Sequence, residues 1–344
     1  MKPFYLKSVF GRLLIFLFLI STALSGCSSF QRNSGQTASD SYDKISKTGF
    51  FFDTVVSVTL YGTSDETVLD DCFLQMKHYE DLLSKTVEGS DIWRINHSNG
   101  TPVEVSDETA ALIHMANSYS ARSDGAFDIT IAPVVSLWDF TGDKPHIIPA
   151  PSDLASALTH VDYHTLTIEQ NKVTLTDPLA QLDLGGIAKG FIADRICEWL
   201  TDHEISCGLI SLGGNILTFG QKPDGTPWNI AVRKPFGSAD ESITVVSAES
   251  GISVVTSGTY ERYFEQDGVL YHHILDPDSG YPVTNGLTSV TILSDSSAEG
   301  DALSTACFVL GLEKGMKLIE SIDTAEALFI TDDMELHKSS GFPS

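Results

Sequence analysis

No linker, low-complexity segment or repeat of fixed period interrupts the chain between about Thr48 and its end. These roughly three hundred residues must bury their apolar side chains in one large core or in two closely packed lobes. Strand and helix patterns occur in mixed runs, without strict β-α-β alternation. The sequence therefore predicts a single α+β domain over residues 48–344, and it argues against a doubly wound parallel sheet.

Hydrophobic periodicity predicts the individual elements of this domain. The predicted helices cover residues 66–86, 108–120, 187–200, 298–310 and 314–322. The predicted strands cover residues 51–62, 165–169, 172–176, 180–184, 208–212, 228–233, 244–247 and 288–293. A strand-like run also follows Asp128, and the Asp267-Gly268 pair between β-forming stretches predicts a hairpin turn.

The N-terminus has the pattern of an exported lipoprotein. Basic residues precede an apolar run at 13–24, which is too short to span a bilayer as a stable helix and is typical of a signal peptide. The run ends in Leu-Ser-Gly-Cys, which resembles the bacterial lipobox and implies cleavage before Cys27 and a lipid on its sulfur. We expect a signal peptide at 1–26 and a lipidated, polar tether at 27–47. The protein would then be lipid-anchored in the cell envelope, on the extracytoplasmic side of a membrane; an ordinary secretory signal with a chance cysteine is the alternative.

The charge balance excludes one class of partner. The chain has 21 Lys and Arg against 46 Asp and Glu, for a formal net charge of -25. Such a chain repels nucleic acid, because nucleic-acid binding depends on neutralising phosphates with basic side chains. It also repels an anionic membrane surface, so the lipid must supply the attachment. To bind a phosphate ligand, the protein needs a metal ion or local backbone donors that offset the negative electrostatic field of the chain.

The cysteines beyond Cys27 argue against a zinc site. Cys72, Cys197, Cys207 and Cys307 show no C-x-x-C spacing and no histidine cluster. Cys197 and Cys307 lie within apolar helical patterns, so we expect buried thiols there, with a disulfide as the alternative.

The segment LDLGGIAKGFIADR at residues 182–195 predicts an anion site between a buried strand and a helix. Asp183 falls near the strand end, Gly185 and Gly186 form the turn, and Lys189 lies in the first helical turn. Free backbone N–H groups at such a turn favour anions. The spacing fits neither the P-loop nor the dinucleotide fingerprint. Close packing of helix on strand is the alternative explanation of the glycine pair.

Asp301 and Thr305 form a second candidate group. They are four residues apart on a predicted helix, and so they lie on one face, one turn from each other. Two oxygens so placed suit a hard cation such as Mg²⁺, which takes few protein ligands. Compensation of the helix dipole by Asp301 and simple packing of Thr305 are the alternatives.

Two histidines and one aromatic residue complete the candidates. His272 and His273 are adjacent on a strand, face opposite ways and cannot bind one metal ion together, so one of them is expected to be structural. Phe127, in a Gly-Ala-Phe-Asp turn, has a ring that can stack on a flat ligand, with core packing as the alternative.

Seven motifs occur together in one order: the lipobox, SDGAFDITIAPVVSLWDF, LDLGGIAKG, ISLGGN, TSGTYERYF, HHILDPDSGYPV and DALSTACFVLG. In this arrangement the chain closely resembles the FAD:protein FMN transferases, formerly called thiamine biosynthesis lipoprotein ApbE, from about Gly49 to Gly311. The resemblance implies an α+β fold with FAD in a crevice and Mg²⁺ beside its pyrophosphate.

The resemblance also implies a metal site and a catalytic residue. The Mg²⁺ ligands match the main-chain oxygen of Gly186 and the side chains of Asp301 and Thr305. The histidine of the family's H-I-x-D-P motif falls on His273, which is the expected catalytic residue, and His272 is left as its structural neighbour.

The FAD contacts follow from the same resemblance. They match Ala126, Phe127, Asp128, Asp183, Lys189 and Leu275, together with Phe52 and Thr86. The chain departs from the family pattern at the last two positions. Phe52-Asp53-Thr54 replaces an early Met-Gly-Thr. Position 86 is often Tyr or Asn in the family, where this residue influences whether FMN is transferred to a protein or FAD is only hydrolysed.

The activity that the resemblance implies is Mg²⁺-dependent transfer of FMN from FAD to a Thr or Ser hydroxyl of a protein, through a phosphoester, with release of AMP. The acceptor is expected to be an exported or membrane flavoprotein, such as a subunit of a membrane redox complex. The alternatives are an FAD pyrophosphatase that produces free FMN and AMP, and a flavin-binding lipoprotein without catalytic activity.

Overall fold

A large antiparallel sheet carries the helices that build the candidate site. The computed structural model describes residues 42–138, 140, 146–238 and 240–343. The sheet has eight strands, in the order Lys44–Phe51, Thr54–Tyr61, Gly208–Leu212, Asn215–Phe219, Ser253–Gly258, Leu287–Ser294, Ala325–Thr331 and Leu336–Lys338. Residues Ser41–Ser344 form one compact unit. The predicted signal peptide, the lipidation site Cys27 and the tether up to residue 41 lie outside the described residues.

The elements have the following bounds. The strands are β1 (Lys44–Phe51), β2 (Thr54–Tyr61), β3 (Val103–Glu104), β4 (Leu166–Glu169), β5 (Lys172–Leu175), β6 (Gly208–Leu212), β7 (Asn215–Phe219), β8 (Trp228–Arg233), β9 (Ser242–Ala248), β10 (Ser253–Gly258), β11 (Tyr263–Gln266), β12 (Val269–His272), β13 (Leu287–Ser294), β14 (Ala325–Thr331) and β15 (Leu336–Lys338). The helices are α1 (Thr67–Leu83), α2 (Asp91–Asn96), α3 (Asp107–Arg122), α4 (Ala132–Val135), α5 (Pro151–Leu158), α6 (Ala188–Asp202) and α7 (Ser297–Ile319). This mixture of helices and antiparallel strands confirms the predicted α+β class.

The two faces of the large sheet bury different clusters. Strand β2 alternates, and its fully buried Val56, Val58 and Leu60 belong to the core cluster that also contains buried residues of α1, α6 and α7. Full burial of one such aliphatic side chain contributes about 1.5–3 kcal/mol. On the opposite face, Ile230 of the β8–β9 ribbon packs in a second cluster with Val254 of β10. Helices α1, α6 and α7, and with them the candidate site, therefore pack on the side of the sheet opposite to the β8–β9 ribbon.

The prediction of one strand over residues 51–62 is wrong. Phe52 and Asp53 both have positive φ, 54° and 56°, and they form the turn of the β1–β2 hairpin. Such a two-residue turn matches the twist of the flanking strands, but Phe-Asp lacks the Asn-Gly signal that marks it in a sequence. Residues 44–47, which the prediction placed in the tether, belong to β1 and pair with residues 58–61.

Two other strand predictions are wrong: within the described residues, neither residues 180–184 nor the run after Asp128 forms a strand. The only ladder contact of residues 180–184 is a single parallel bridge between Gln181 and Ile131. The backbone of Leu182 is paired instead by the Asn96 side chain, which accepts from its N–H at 2.6 Å and donates to its carbonyl at 2.9 Å. The strand-like run after Asp128 contains the short helix α4, because Pro133 suits the first turn of a helix.

Other predictions are confirmed with shifted ends. Helices α1, α3 and α6 and the hairpin turn at Asp267-Gly268 occur where the sequence predicts them. The last two predicted helices form one element, α7, which is kinked at Gly311. The φ of Gly311 is 77°, a value that glycine adopts without steric cost.

The cysteines and helices of the described residues carry two further findings. Cys72, Cys197, Cys207 and Cys307 are all free thiols, and burial raises the pKa of Cys197 to about 11. Across the described part of the chain, none of the helices combines the length and the apolar character that crossing a bilayer would need.

Candidate active site

Asp301 lies where α6 and α7 meet. It sits in the first turns of α7 and is almost completely buried. Its Oδ2 accepts a hydrogen bond from the backbone N–H of Gly190 at 3.0 Å, and its Oδ1 lies 3.5 Å from Nζ of Lys189. The start of α6 therefore supplies one amide and one ammonium group to this carboxylate.

A close helix crossing makes this contact possible. A Cβ atom on Gly190 would lie 2.1 Å from the carbonyl oxygen of Ser297, so no side chain fits there. Next to it, the Asp194 carboxylate accepts hydrogen bonds from the backbone N–H groups of Ser297 and Ala298, which satisfies the free donors at the start of α7. The first two turns of α6 and the start of α7 are thus joined through Asp194 as well as through Asp301.

The glycine pair brings a third element to the same place. A Cβ on Gly186 would lie 3.4 Å from Oγ1 of Thr305 and 3.0 Å from the ring of Phe127. The turn before α6, the hydroxyl of Thr305 and the Phe127 ring are therefore direct neighbours. A side chain at position 186 would crowd this space.

The Gly186 carbonyl has an unused acceptor. Gly186 lies before the start of α6, whose first intrahelical hydrogen bond runs from the Phe191 N–H to the Ile187 carbonyl. The Gly190 N–H, one of the free donors of this helix start, donates to Asp301, and within the described part of the chain no hydrogen bond reaches the Gly186 oxygen. The site thus combines one carboxylate, one hydroxyl and one free carbonyl, all hard oxygen donors of the kind that Mg²⁺ prefers.

Two lysines flank the turn. Lys189 Nζ donates to the carbonyl of Gly185 at 3.0 Å. Asp183 accepts from the Gly185 N–H through Oδ1 at 2.8 Å, and its Oδ2 pairs with Lys85 Nζ at 2.6 Å. Lys85 was not predicted from the sequence. Its only sequence signal is its position beside Thr86 in a strongly acidic chain.

The Asp128 carboxylate is committed to its own loop. One oxygen accepts from the backbone N–H and the hydroxyl of Thr130, both at 2.7 Å, and the other accepts from the Tyr163 N–H at 2.9 Å. Burial raises the pKa of Asp128 in spite of these bonds. The side chain therefore holds the shape of the loop that carries Ala126 and Phe127.

Leu275 belongs to an aromatic cluster beside this loop. It packs with Trp138 and with Phe264 of β11, and the Trp138 indole donates to the carbonyl of Gly280 at 2.9 Å. Phe127 is itself buried, at 4 % exposure, so both packing and a ligand face are compatible with its position. Ile131, three residues after Asp128, packs against the same cluster.

The two adjacent histidines have different surroundings. His272 is buried, and its Nε2 lies 3.0 Å from the carbonyl oxygen of Val283. His273 is partly exposed, and its backbone N–H donates to the carbonyl of Arg262 at 3.1 Å. Desolvation of the imidazole, then the charges of Arg262, His272 and Lys189, lower the pKa of His273 to about 3. His273 is therefore neutral at physiological pH and within electrostatic reach of Lys189.

Phe52 and Thr86 lie at the periphery of the region. Phe52 is in the β1–β2 turn, where its N–H donates to Glu80 at 2.9 Å, and Arg262 donates to the neighbouring Asp53 carbonyl at 3.3 Å. The turn is thereby tied to the segment that holds His273. Thr86 follows α1 directly after Lys85, and it shares a hydroxyl contact of 3.0 Å with Ser84. Neither residue touches Gly186, Asp301 or Thr305 through any contact described above.

Comparison with known proteins identifies the family. The model of the ApbE family matches residues 52–329. The chain belongs to the ApbE family. A protein named FAD:protein FMN transferase from Klebsiella pneumoniae (strain 342) is 41% identical over 279 residues, which cover 80% of this chain and 86% of that protein. A second protein of that name, from Treponema pallidum (strain Nichols), is 38% identical over 289 residues and 79% of each chain.

The fold of this ApbE-family chain also has a close counterpart among solved structures. The crystal structure of the ApbE protein from Thermotoga maritima superposes with a TM-score of 0.80 at 33% identity, covering 87% of this chain and 97% of that one. The site roles assigned from the sequence are tested by none of these comparisons and stay predictions.

Proposed function

We propose that this ApbE-family chain is a Mg²⁺-dependent FAD:protein FMN transferase. The observation that carries the proposal is the meeting of the Gly185-Gly186 turn, Asp301, Thr305 and Lys189 at the start of two helices, in a chain whose relatives are named for this reaction. Phosphoryl transfer needs positioning and charge neutralisation more than covalent chemistry, and such a cluster can supply both.

The metal ion would be held by Asp301, Thr305 and the Gly186 carbonyl. The free Gly186 oxygen and the buried carboxylate support this assignment, because both suit a hard cation and neither is fully satisfied by protein donors nearby. Bound there, Mg²⁺ would neutralise charge on the pyrophosphate as AMP departs. The proximity of Lys189 to Asp301 indicates that the ammonium group shares this task.

The remaining predicted contacts would hold the dinucleotide. Asp183, kept in place by Lys85 and by the Gly185 N–H, presents a carboxylate at the turn. Phe127 offers a ring beside Gly186, and Leu275 packs in the aromatic cluster with Trp138. Lys85 adds a second cation near the turn, which helps to offset the acidic charge of the chain.

The transfer step forms a bond between the FMN phosphorus and the oxygen of an acceptor Thr or Ser, and it breaks the bond from that phosphorus to the oxygen that leaves with AMP. The acceptor hydroxyl must lose its proton. His273, whose imidazole is neutral at physiological pH, would accept this proton, and a nearby carboxylate is the alternative acceptor. The acceptor protein is proposed to be an exported flavoprotein or a subunit of a membrane redox complex.

Intact-mass analysis tests the proposed function. The purified protein is incubated with FAD, Mg²⁺ and candidate acceptor proteins, and we expect an acceptor mass raised by one FMN group that survives denaturation, with AMP in the supernatant. A matched reaction with an acceptor Thr→Val variant should show no mass increase. Free FMN and AMP without any covalent flavin would establish a pyrophosphatase. FAD that stays intact for hours would establish a carrier.

The membrane anchor is a second proposal, and it depends on the Leu-Ser-Gly-Cys sequence. Because the chain carries a net charge of -25, its surface is not suited to bind anionic lipids, and the lipid on Cys27 would be the attachment. We expect Cys27→Ser to move the protein from the membrane to the soluble fraction while its specific activity stays unchanged. Fractionation with immunodetection measures this. A processed Cys27→Ser protein that remains in the membrane fraction would show that the lipid is not the anchor.

A further inference from the structure

We infer that Ser257 is a positioning residue that orients the hydroxyl of Thr305 through a directional chain of hydrogen bonds. This inference rests on the proposed Mg²⁺ site. Ser257 lies in β10, within the motif TSGTYERYF, and none of the roles assigned from the family resemblance falls on it.

Strand alternation places Ser257 against α7. Its Oγ lies 2.8 Å from Oγ of Ser304 and 3.4 Å from Oγ1 of Thr305. The preceding residue, Thr256, faces the other side of the sheet, where its hydroxyl lies 2.8 Å from that of Thr291 in β13. The same strand therefore carries one hydroxyl towards the candidate site and one away from it.

The number of hydroxyl protons sets the direction of these hydrogen bonds. Each hydroxyl has one proton to donate. Ser304 donates its proton to the main-chain carbonyl of Asp301 at 2.9 Å, and a carbonyl can only accept. Ser304 Oγ must then accept from Ser257. With its own proton used in this way, Ser257 can only accept from Thr305.

The direction matters for a cation. The Thr305 proton points to Ser257, so the lone pairs of Oγ1 are left free for other partners. Gly186 lies beside this oxygen, since a Cβ there would approach it to 3.4 Å. A threonine in a helix otherwise tends to donate to the carbonyl three or four residues before it, which is Ala302 or Asp301 here. Ser257 thus keeps Thr305 in the orientation that a metal ligand needs.

Metal binding by the FAD-free protein tests this role. Free Mn²⁺ is measured by electron paramagnetic resonance during titration, with Mg²⁺ as competitor. Loss of one neutral hydrogen bond costs about 0.5–1.5 kcal/mol, so we expect Ser257→Ala to weaken Mn²⁺ binding about three- to tenfold. Ser257→Thr, which keeps the hydroxyl on a β-branched side chain suited to a strand, should bind Mn²⁺ as the wild type does. The Mg²⁺ concentration for half-maximal transfer should rise in Ser257→Ala, with an unchanged kcat at saturating Mg²⁺.

Thr256→Val is the matched control, because it removes a hydroxyl from the same strand on the opposite face. We expect it to bind Mn²⁺ normally. Equal weakening in Thr256→Val and Ser257→Ala would overturn the inference in favour of a general strand defect. If a thermal unfolding assay shows that Ser257→Ala does not fold, Ser304→Ala is used in its place, because it removes the next hydroxyl in the series of hydrogen bonds. We expect Ser304→Ala to weaken Mn²⁺ binding as well. Normal Mn²⁺ binding by Ser304→Ala would then overturn the inference.

Asp301→Asn separates this inference from the proposed function. One possible result is that the wild type binds Mn²⁺, that Asp301→Asn does not bind it, and that Ser257→Ala binds it with full affinity. In that case the metal site stands and the proposed role of the Ser257 hydroxyl is overturned. If the wild type itself binds no Mn²⁺ and its FAD turnover ignores chelators, the metal site and this inference are overturned together.

Discussion

The Asp301→Asn variant is expected to fold normally, to bind FAD weakly, and neither to transfer FMN nor to release AMP at ordinary Mg²⁺ concentrations. The expected loss is on the order of a thousandfold or more in rate, several kcal/mol of transition-state stabilisation. Asp301 supplies the only full negative charge among the three proposed ligands. Its replacement by Asn preserves shape and an oxygen acceptor, so the bond from the Gly190 N–H can persist while the charge is lost.

Thr305→Ala provides the comparison, since it removes a neutral ligand from the same helix face. Added Mg²⁺ should restore activity to Thr305→Ala more readily than to Asp301→Asn, because a lost charge weakens cation binding more than a lost hydroxyl. AMP release at a series of Mg²⁺ concentrations measures the difference. Near-normal turnover by Asp301→Asn in a chelator-treated assay would refute the metal assignment and the mechanism proposed with it.

The second large effect is expected for His273→Ala, which should still bind FAD but transfer FMN about a hundred- to ten-thousandfold more slowly. The physical reason is the loss of a neutral imidazole that can accept the acceptor's proton. Transfer rates at saturating FAD measure the loss, and equilibrium binding of FAD separates it from a binding defect. His272→Ala is the matched variant: it removes a buried ring that packs edge-on against Phe308, so we expect a lower melting temperature. Equal losses of rate and stability in both variants would contradict a catalytic role.

The pH dependence gives an independent measure of His273. Its folded pKa of about 3 lies below the ordinary histidine value of 6.5, so the native state stays proton-free where the unfolded state binds a proton. The native state is therefore destabilised by this group as the pH falls from 6.5 towards 3, and it is unaffected above 6.5. We expect the wild-type transfer rate to show no decline near pH 6.5 from protonation of His273. A titration near 6.5 that is absent in His273→Ala would show that the pKa of His273 is not lowered in the native state.

The sequence correctly predicted the helices and turns that depend on residues close to each other along the chain. Helices α1, α3 and α6 and the Asp267-Gly268 hairpin follow from apolar spacing and from turn residues, both of which act between near neighbours. The prediction was wrong where a distant partner replaced a local signal. In the predicted strand over residues 180–184, the backbone of Leu182 is paired by the side chain of Asn96, which is 86 residues away, and not by a neighbouring strand. The hairpin turn at Phe52-Asp53 depends on pairing with β1, and its residues alone do not indicate a turn.

The sequence by itself determined the α+β class, the order of the motifs and the one-turn spacing of Asp301 and Thr305, because composition and periodicity encode them directly. Only the tertiary structure decided how these parts meet. The Gly190 amide reaches Asp301 across 111 residues, and Ser257 reaches Thr305 across 48. The free Gly186 carbonyl, the direction of the hydroxyl chain and the low pKa of His273 all arise from such contacts. They depend on the close crossing of α6 and α7 and on the face that β10 presents, and neither can be read from the spacing of residues along the chain.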